Sequence, residues 1–315
     1  MLTEKIAVFD LGTYTFHLLI AAWQDGALQV IKKVNRGVRL GAGGINQGVI
    51  TAEAYQRALK GISFLADVGY EYEFLQLPRL AYGTSMFRNA ANGAQLAAEI
   101  EQTLHTKVQI ISGTQEAELI HAGILASGAY DEANALSIDI GGGSVEFIIA
   151  GEGKLLWRKS LEIGGQRLMD MFHIHDPIGF EEIQHLRNYL SEHLIEVFNK
   201  SEEFNVKRLI GASGSFDTLA QMQEAVLQNQ VLDVELIKSY KLDVQLLYRQ
   251  LEALQNKTRA ERLAIPGMMP LRVDMIVVAS VLIELLLKQL AFDEVYTSTF
   301  SLKEGAAYNY FKSRA

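Results

Sequence analysis

Residues 10–21 and 139–150 can be laid over one another without a gap. Asp10-Leu-Gly12-Thr-Tyr-Thr15 stands against Asp139-Ile-Gly141-Gly-Gly-Ser144, and each motif runs into a mostly apolar stretch that closes on Ala21 or Ala150. An aspartate, a glycine, a hydroxyl residue and an alanine therefore coincide. The copies lie much further apart than the period of a solenoid array, so the repeat predicts two duplicated domains that face one another, with the cleft between them as the default ligand site. Length agrees, since 315 residues is about twice the usual size of a single domain.

Around each motif the pattern is that of an α/β protein. Residues 6–10, 16–22 and 28–34 are rich in β-branched and aromatic side chains and are separated by glycine-containing turns, which predicts three antiparallel strands. Residues 51–65 then place Ala, Leu and Phe at helical spacing, 80–84 reads as a strand, 94–104 as a helix and 108–112 as a strand. Thr114 is the expected N-cap of a helix running to about residue 126, with Glu116 in its first turn. Strands return at 136–139, 146–150 and 155–161, followed by helices near 181–198 and 216–227. This alternation indicates α/β architecture.

Composition excludes several kinds of chemistry. The chain has no cysteine, which removes disulfides, thiol nucleophiles and cysteine-held metals and suits a reducing, cytoplasmic compartment. It opens Met-Leu-Thr-Glu-Lys directly into a strand-like run, without the order of a secretion signal. The most apolar stretch, residues 275–287, is interrupted by Glu284 and is shorter than the roughly 20 residues a membrane span needs. It is expected to be a buried helix. A net charge of −8 argues against a nucleic-acid partner, so an anionic substrate has to be held locally. Two basic clusters, Lys32, Lys33, Arg36 and Arg39, and Lys257, Arg259, Arg262 and Arg272, are each read as solvated faces.

A strand that ends in Asp-x-Gly and turns into a Gly-rich or Ser/Thr-rich hairpin exposes backbone N–H groups, which makes an anion nest. Its aspartate can hold Mg²⁺, directly or through water, and the metal neutralises phosphate oxygens that would otherwise repel the carboxylate. Two aligned copies, at Asp10 and Asp139, point to that use more strongly than one, since single Asp-Gly turns are common structural hairpins. A third turn, Gly211-Ala-Ser213-Gly214-Ser215, follows a strand and opens a helix, where N-terminal N–H groups bind phosphate; a tight connection is the competing reading. On their own, Glu116 reads as a first-turn glutamate complementing the helix dipole and Glu146 as a cross-strand polar residue. His173 and His175 precede Asp176-Pro177 in a loop leading into a helix, and a surface role is expected for them.

Taken together the motifs resemble the exopolyphosphatase/guanosine pentaphosphate phosphohydrolase (Ppx/GppA) family, over nearly the whole chain. The carriers are Asp10-Leu-Gly-Thr-Tyr-Thr-Phe-His17, Val38-Arg39-Leu40-Gly41, Gly83-Thr-Ser-Met-Phe-Arg88, Ile111-Ser-Gly-Thr-Gln-Glu116-Ala117 and Asp139-Ile-Gly-Gly-Gly-Ser-Val-Glu146. Gly211-Ala-Ser-Gly-Ser215, Pro266-Gly267, Arg272-Val-Asp274 and Glu304-Gly305 complete the set.

The resemblance implies two actin-like, ribonuclease H-like domains of the sugar-kinase/heat-shock-chaperone/actin superfamily with an interdomain cleft. The first would span residues 1–119 with a returning C-terminal helix in 300–315, the second 120–299, in the short form without the extra helical domain of longer relatives. It further implies an exopolyphosphatase that releases orthophosphate from inorganic polyphosphate. Guanosine pentaphosphate hydrolysis and a non-catalytic polyphosphate or nucleotide sensor are the alternatives. Glu116 matches the catalytic carboxylate that orients and deprotonates water, and Glu146 the second glutamate of the cleft. Thr13, Arg39, Arg88, Gly141, Gly142, Gly143, Ser144, Gly211, Ser213 and Gly214 would bind phosphate, with Mg²⁺ or another divalent cation at Asp10 and Asp139. A cytoplasmic protein without a membrane partner is implied, and homodimerisation is left open. The chain departs from the family pattern at Tyr14, usually Asn, at Thr299-Phe300, usually a short Asp-Gly, at Lys303, usually Arg, and at Glu118, where a basic residue is common.

Overall fold

The computed structural model describes residues 4–228, 232–233 and 237–314. The first half contributes β1 (Lys5–Leu11), β2 (Thr15–Gln24), β3 (Ala27–Gly37), α1 (Ala52–Glu71), β4 (Arg79–Gly83), α2 (Ser85–Asn89), α3 (Gly93–Leu104), β5 (Val108–Ile110) and α4 (Gly113–Ser127). The second half follows with β6 (Ala135–Ile140), β7 (Val145–Gly151), β8 (Lys154–Leu161), α5 (Gly165–Phe172), α6 (Phe180–His193), α7 (Ile195–Glu203), β9 (Arg208–Ala212) and α8 (Gly214–Leu227). The remaining elements are β10 (Ser239–Leu242), α9 (Val244–Asn256), α10 (Arg259–Leu263), α11 (Ile276–Gln289), β11 (Glu294–Ser298) and α12 (Leu302–Lys312).

The strands form two mixed sheets, ordered β3-β2-β1-β4-β5 and β10-β11-β9-β6-β7-β8. In each, the strand carrying the aspartate is central: β1 pairs antiparallel with β2 and parallel with β4, and β6 pairs antiparallel with β7 and parallel with β9. Both are covered on two faces, which is why they read as near-continuous apolar runs instead of alternating ones. The repeat extends to irregularities. The register of β2 on β3 shifts between Ile20 and Ala21, and that of β7 on β8 between Ile149 and Ala150, at matching positions of the two copies.

Several local expectations are corrected. The helix bearing Glu116 is capped by Ser112, not Thr114. The Ser112 hydroxyl accepts from the Gln115 N–H while the Gln115 side chain accepts from the Ser112 N–H, a reciprocal capping box that also ends β5 at Ile110. The expected helix over 181–198 is two helices that meet at Leu194, which is fully buried and closes α6 before α7 begins. Residues 276–287 lie in α11, with Met275 at its N-cap, and all but Glu284 are buried, as expected for this stretch. No helix among the described residues is long and apolar enough to cross a membrane.

Helices α4 and α12 connect the halves. The expected division at residue 119 falls within α4, which lies on β7 and β8, while α12 lies on β1, β2 and β3, and the two helices pack on each other. Glycine makes that approach feasible: a Cβ at Gly305 would lie 1.8 Å from the Leu119 carbonyl oxygen.

Candidate active site

Because β1 and β6 are equivalent strands, Asp10 and Asp139 come at equivalent ends, and the turns that follow them line one cavity. Gly12 closes the first turn by donating its N–H to the Thr15 carbonyl at 3.1 Å. The second turn sits directly on the first lobe: a Cβ at Gly143 would lie 2.4 Å from Ser85 Oγ and 2.7 Å from Thr13 Oγ1. Glu116 reaches the same cavity from the first turn of α4 and Glu146 from β7, and Ser144 and Ser213 complete the predicted residues that line it.

The electrostatics follow from putting four carboxyls in one desolvated place. Glu146 is 1% exposed and is pushed up to about 8 by burial and by Asp139, although Ser160 Oγ donates to it at 2.8 Å. Burial also raises Glu116 well above the usual carboxylate range; Glu146 adds to this and the Arg88 guanidinium opposes it. Asp10 is raised to about 7 by burial, with Lys303 opposing and Asp139 reinforcing. Asp139 reaches only about 6, since a donated bond from the Ser301 hydroxyl and the Lys303 ammonium favour its charged form. Desolvation and like-charge repulsion both penalise the ionised state of such a cluster. Lys303 and Arg272, each 8% exposed, supply resident positive charge in the cavity wall.

Other predicted residues sit elsewhere. Arg88 stands behind Glu116 and donates to the Ile111 carbonyl (2.7 Å), Glu116 Oε2 (3.2 Å) and Glu162 Oε1 (3.0 Å). Arg39 lies outside the cavity wall, bonded to Asp274 Oδ2 at 3.1 Å and stacked over the Tyr14 ring. Gly211 is under the Phe216 ring, where a Cβ would lie 1.9 Å from Phe216 Cγ, so close packing accounts for it. Gly214 faces a neighbouring cavity that shares Ser213, Arg272 and Lys303 with the first.

Sequence reasoning missed several members of the site. The solvated-face reading fails for Lys33, Arg262 and Arg272. Lys33 pairs with the fully buried Glu304 at 2.9 Å, Arg262 with Asp176 at 2.9 Å, and Arg272 is enclosed in the cleft. The partners are distant in the chain, so clustering of basic residues alone could not separate these from exposed ones. Glu162 also escaped notice, although it accepts from Ser85, Arg88 and Arg167 and thereby ties the lobes together. Three of the four departures from the family pattern gather beside the cleft: Tyr14 lies between Arg39 and Arg272, Thr299 and Lys303 line the neighbouring cavity, and the Phe300 ring lies under Lys33 at 4.7 Å, whereas Glu118 lies outside both cavities and pairs with Arg158 at 2.5 Å. His175 is exposed and contacts Glu182 at 3.2 Å, and among the described residues no group of three His, Cys, Asp or Glu side chains converges as a protein-only metal cage.

Comparison with known proteins matches this arrangement. The Ppx/GppA phosphatase family matches residues 19–314. A Haemophilus influenzae protein named "Putative exopolyphosphatase" is 25% identical over 312 residues, spanning 98% of this chain and 92% of that protein. The crystal structure of an exopolyphosphatase from Cytophaga hutchinsonii superimposes with a TM-score of 0.92 at 39% identity, covering 98% of both chains. The Ppx/GppA family member of Aquifex aeolicus superimposes with a TM-score of 0.79 at 21% identity over 99% of this chain and 98% of that one, a likeness of fold. The fold is thus the two-lobed α/β arrangement expected from the repeat. With the family pattern running through almost its full length, the chain belongs to the Ppx/GppA phosphatase family.

Proposed function

We propose that this protein is an exopolyphosphatase, which hydrolyses the terminal phosphoanhydride bond of inorganic polyphosphate. The observation that carries the reading is the convergence of two Asp-x-Gly turns and two buried glutamates on one cavity that also holds Lys303 and Arg272. Phosphoryl transfer asks for positioning, charge neutralisation and one group to aim the nucleophile, and these residues supply all three. The name of the 39% identical Cytophaga hutchinsonii protein supports the choice of substrate.

The terminal phosphate would lie between the turns, held by the N–H groups of Gly141, Gly142 and Gly143 and by the Thr13, Ser144 and Ser213 hydroxyls. Thr13 Oγ1 is buried in the wall and makes no hydrogen bond within the protein, as a residue waiting for a ligand oxygen should. Asp10 and Asp139 fit a divalent cation that Mg²⁺ exemplifies, because Mg²⁺ is commonly held by one or two carboxylates plus substrate phosphates and water. When bound, such a cation neutralises phosphate oxygens and offsets the repulsion within the carboxyl cluster.

Glu116, held against Arg88, accepts a proton from water as the water oxygen attacks the terminal phosphorus. The bridging P–O bond breaks and its electron pair leaves with the shortened chain. The products are orthophosphate and a chain one phosphate shorter. A raised carboxyl pKa suits this role, since a general base works best near the operating pH. Arg88 acts here through Glu116, and Glu146, anchored by Ser160, steadies the water from the opposite strand.

The test is phosphate release by the purified protein from polyphosphate and from guanosine pentaphosphate, with Mg²⁺ and with chelator. Faster release from polyphosphate, abolished by chelator, is expected. Preference for guanosine pentaphosphate, or binding of polyphosphate without release, would overturn the assignment.

A further inference from the structure

Both glutamates of the site are braced from one strand end in the second lobe. Ser160, near the end of β8, stands opposite Glu146 in register and donates to it at 2.8 Å. Two residues further on, Glu162 crosses to α2 of the first lobe, where its Oε1 accepts from Arg88 Nη2 at 3.0 Å and its Oε2 from Ser85 Oγ at 2.6 Å. The two contacts flank Gly113: a Cβ there would lie 2.4 Å from Ser160 Oγ and 3.8 Å from Arg88 Nη2.

Arg88 is thereby held from two sides. Its Nη1 donates to the Ile111 carbonyl and to Glu116 Oε2, while its Nη2 meets Glu162. A guanidinium is planar and carries its donors in a fixed fork, so the acceptor that fixes Nη2 also fixes the direction in which Nη1 presents itself to Glu116. Arg167 braces Glu162 in turn, donating to its Oε2 at 3.2 Å and reaching back to the Ile45 carbonyl of the first lobe at 3.3 Å.

Two observations separate aiming from mere support of the fold. The Glu162 side chain is 40% exposed, and ion pairs in such places add little stability. Burial opposes its charge, but the bonds from Ser85, Asn89 and Arg88 outweigh this and hold its carboxyl below the usual range. Glu162 is therefore ionised at neutral pH, and a charged acceptor orients a guanidinium more strongly than a neutral one.

We propose that Glu162 is a positioning residue for the hydrolysis, which aims Arg88 from the opposite lobe and through it sets Glu116 against the attacking water. The inference rests on the water-activating role given to Glu116 above. Because Glu162 and Arg88 belong to different lobes, the base is aligned only while the lobes touch at this point.

Steady-state phosphate release from polyphosphate in Mg²⁺ tests this for the full-length parent, Glu162→Ala, Glu162→Gln, Arg88→Gln and Arg88→Gln/Glu162→Ala, with the Tm of each. Glu162→Ala should lower kcat about 10- to 100-fold, as misplacing a reacting group by about 1 Å does, and leave KM and Tm near those of the parent. Glu162→Gln, which keeps an acceptor for Arg88, should recover part of the loss. In the Arg88→Gln background Glu162→Ala should cost nothing more, because the two residues act in series. Losses that multiply in the double variant would put Glu162 on a separate path and overturn the proposal, as would a parent-like kcat or a fall in Tm that accounts for the lost activity. A lower KM for Glu162→Ala would show that the carboxylate competes with substrate for Arg88, and would overturn it too. If the parent prefers guanosine pentaphosphate, only the substrate assignment falls, and the same comparison on that nucleotide decides on Glu162. A parent inactive on both substrates would remove the hydrolase reading and this role together.

Discussion

The two Asp-x-Gly turns occupy matching places in matching sheets, but they present different chemistry. After Asp10 the first turn offers Thr13, Tyr14 and Thr15, so hydroxyls and an aromatic ring face the second lobe. After Asp139 the second offers three glycines and a serine, which bring backbone N–H groups against those side chains. The difference continues one step along each hairpin. Asp10 pairs in register with His17, and Asp139 with Glu146. Burial and the cations Lys303, Arg272 and Lys33 hold His17 neutral, well below its usual range, whereas burial and Asp139 raise Glu146 to about 8. Duplication supplies the frame, and substitution at equivalent positions sets a neutral imidazole beside one aspartate and a second buried carboxyl beside the other.

The largest expected effect separates the enzyme from a mere binder. Glu116→Gln preserves size and most hydrogen bonding but removes the base, so turnover on polyphosphate should fall on the order of 10²- to 10⁴-fold. Binding should persist, because a negative charge has been removed beside a polyanion. Near-parent turnover in a steady-state phosphate assay would show that neither copy depends on this residue for its base.

Asp10→Asn and Asp139→Asn test whether the copies share the cation. Each should raise the Mg²⁺ concentration giving half-maximal activity by about 10- to 100-fold. A parent-like Mg²⁺ titration for one of the two variants would assign the metal to the other turn alone.

The smallest effect is on stability, and it has opposite signs at the paired positions. Glu146 has a raised folded pKa, so its contribution is fully present below the unfolded value of 4.5 and is lost as pH rises towards about 8. His17 has a depressed folded pKa, so its contribution is present above the unfolded value of 6.5 and is lost as pH falls. In metal-free buffer, Glu146→Gln should therefore gain Tm relative to the parent on the alkaline side, and His17→Asn on the acid side. Thermal melts across this range with parallel slopes for all three proteins would refute the contrast.

What could be read from residues alone is what depends on local pattern. Apolar runs of strand length, the Asp-x-Gly turns and the glutamate in the first turn of a helix all leave marks within a few residues, and the ungapped match of 10–21 with 139–150 carried the two-lobed design, even to the matching register shifts. The cap of α4 illustrates the limit of such marks: Ser112 and Thr114 are both good N-caps, and the reciprocal bond from Gln115 decided for Ser112. Likewise α6 and α7 share one continuous helical pattern, and burial of Leu194 divides them.

The charges were legible only in three dimensions. Lys33 and Arg272 are far apart in the chain and read as solvent-facing residues until the fold encloses Arg272 in the cleft and α12 returns to the first sheet to put Glu304 between Lys33 and Lys303. Arg88 matches a phosphate-binding arginine by resemblance, yet it donates to Ile111, Glu116 and Glu162, and Glu162 comes from the opposite lobe. A sequence shows which groups can ionise or donate. Whether a group is desolvated, and which opposite charge lies within a few ångströms of it, depends on contacts between residues distant in the chain, and those terms decide its protonation and its availability to a ligand.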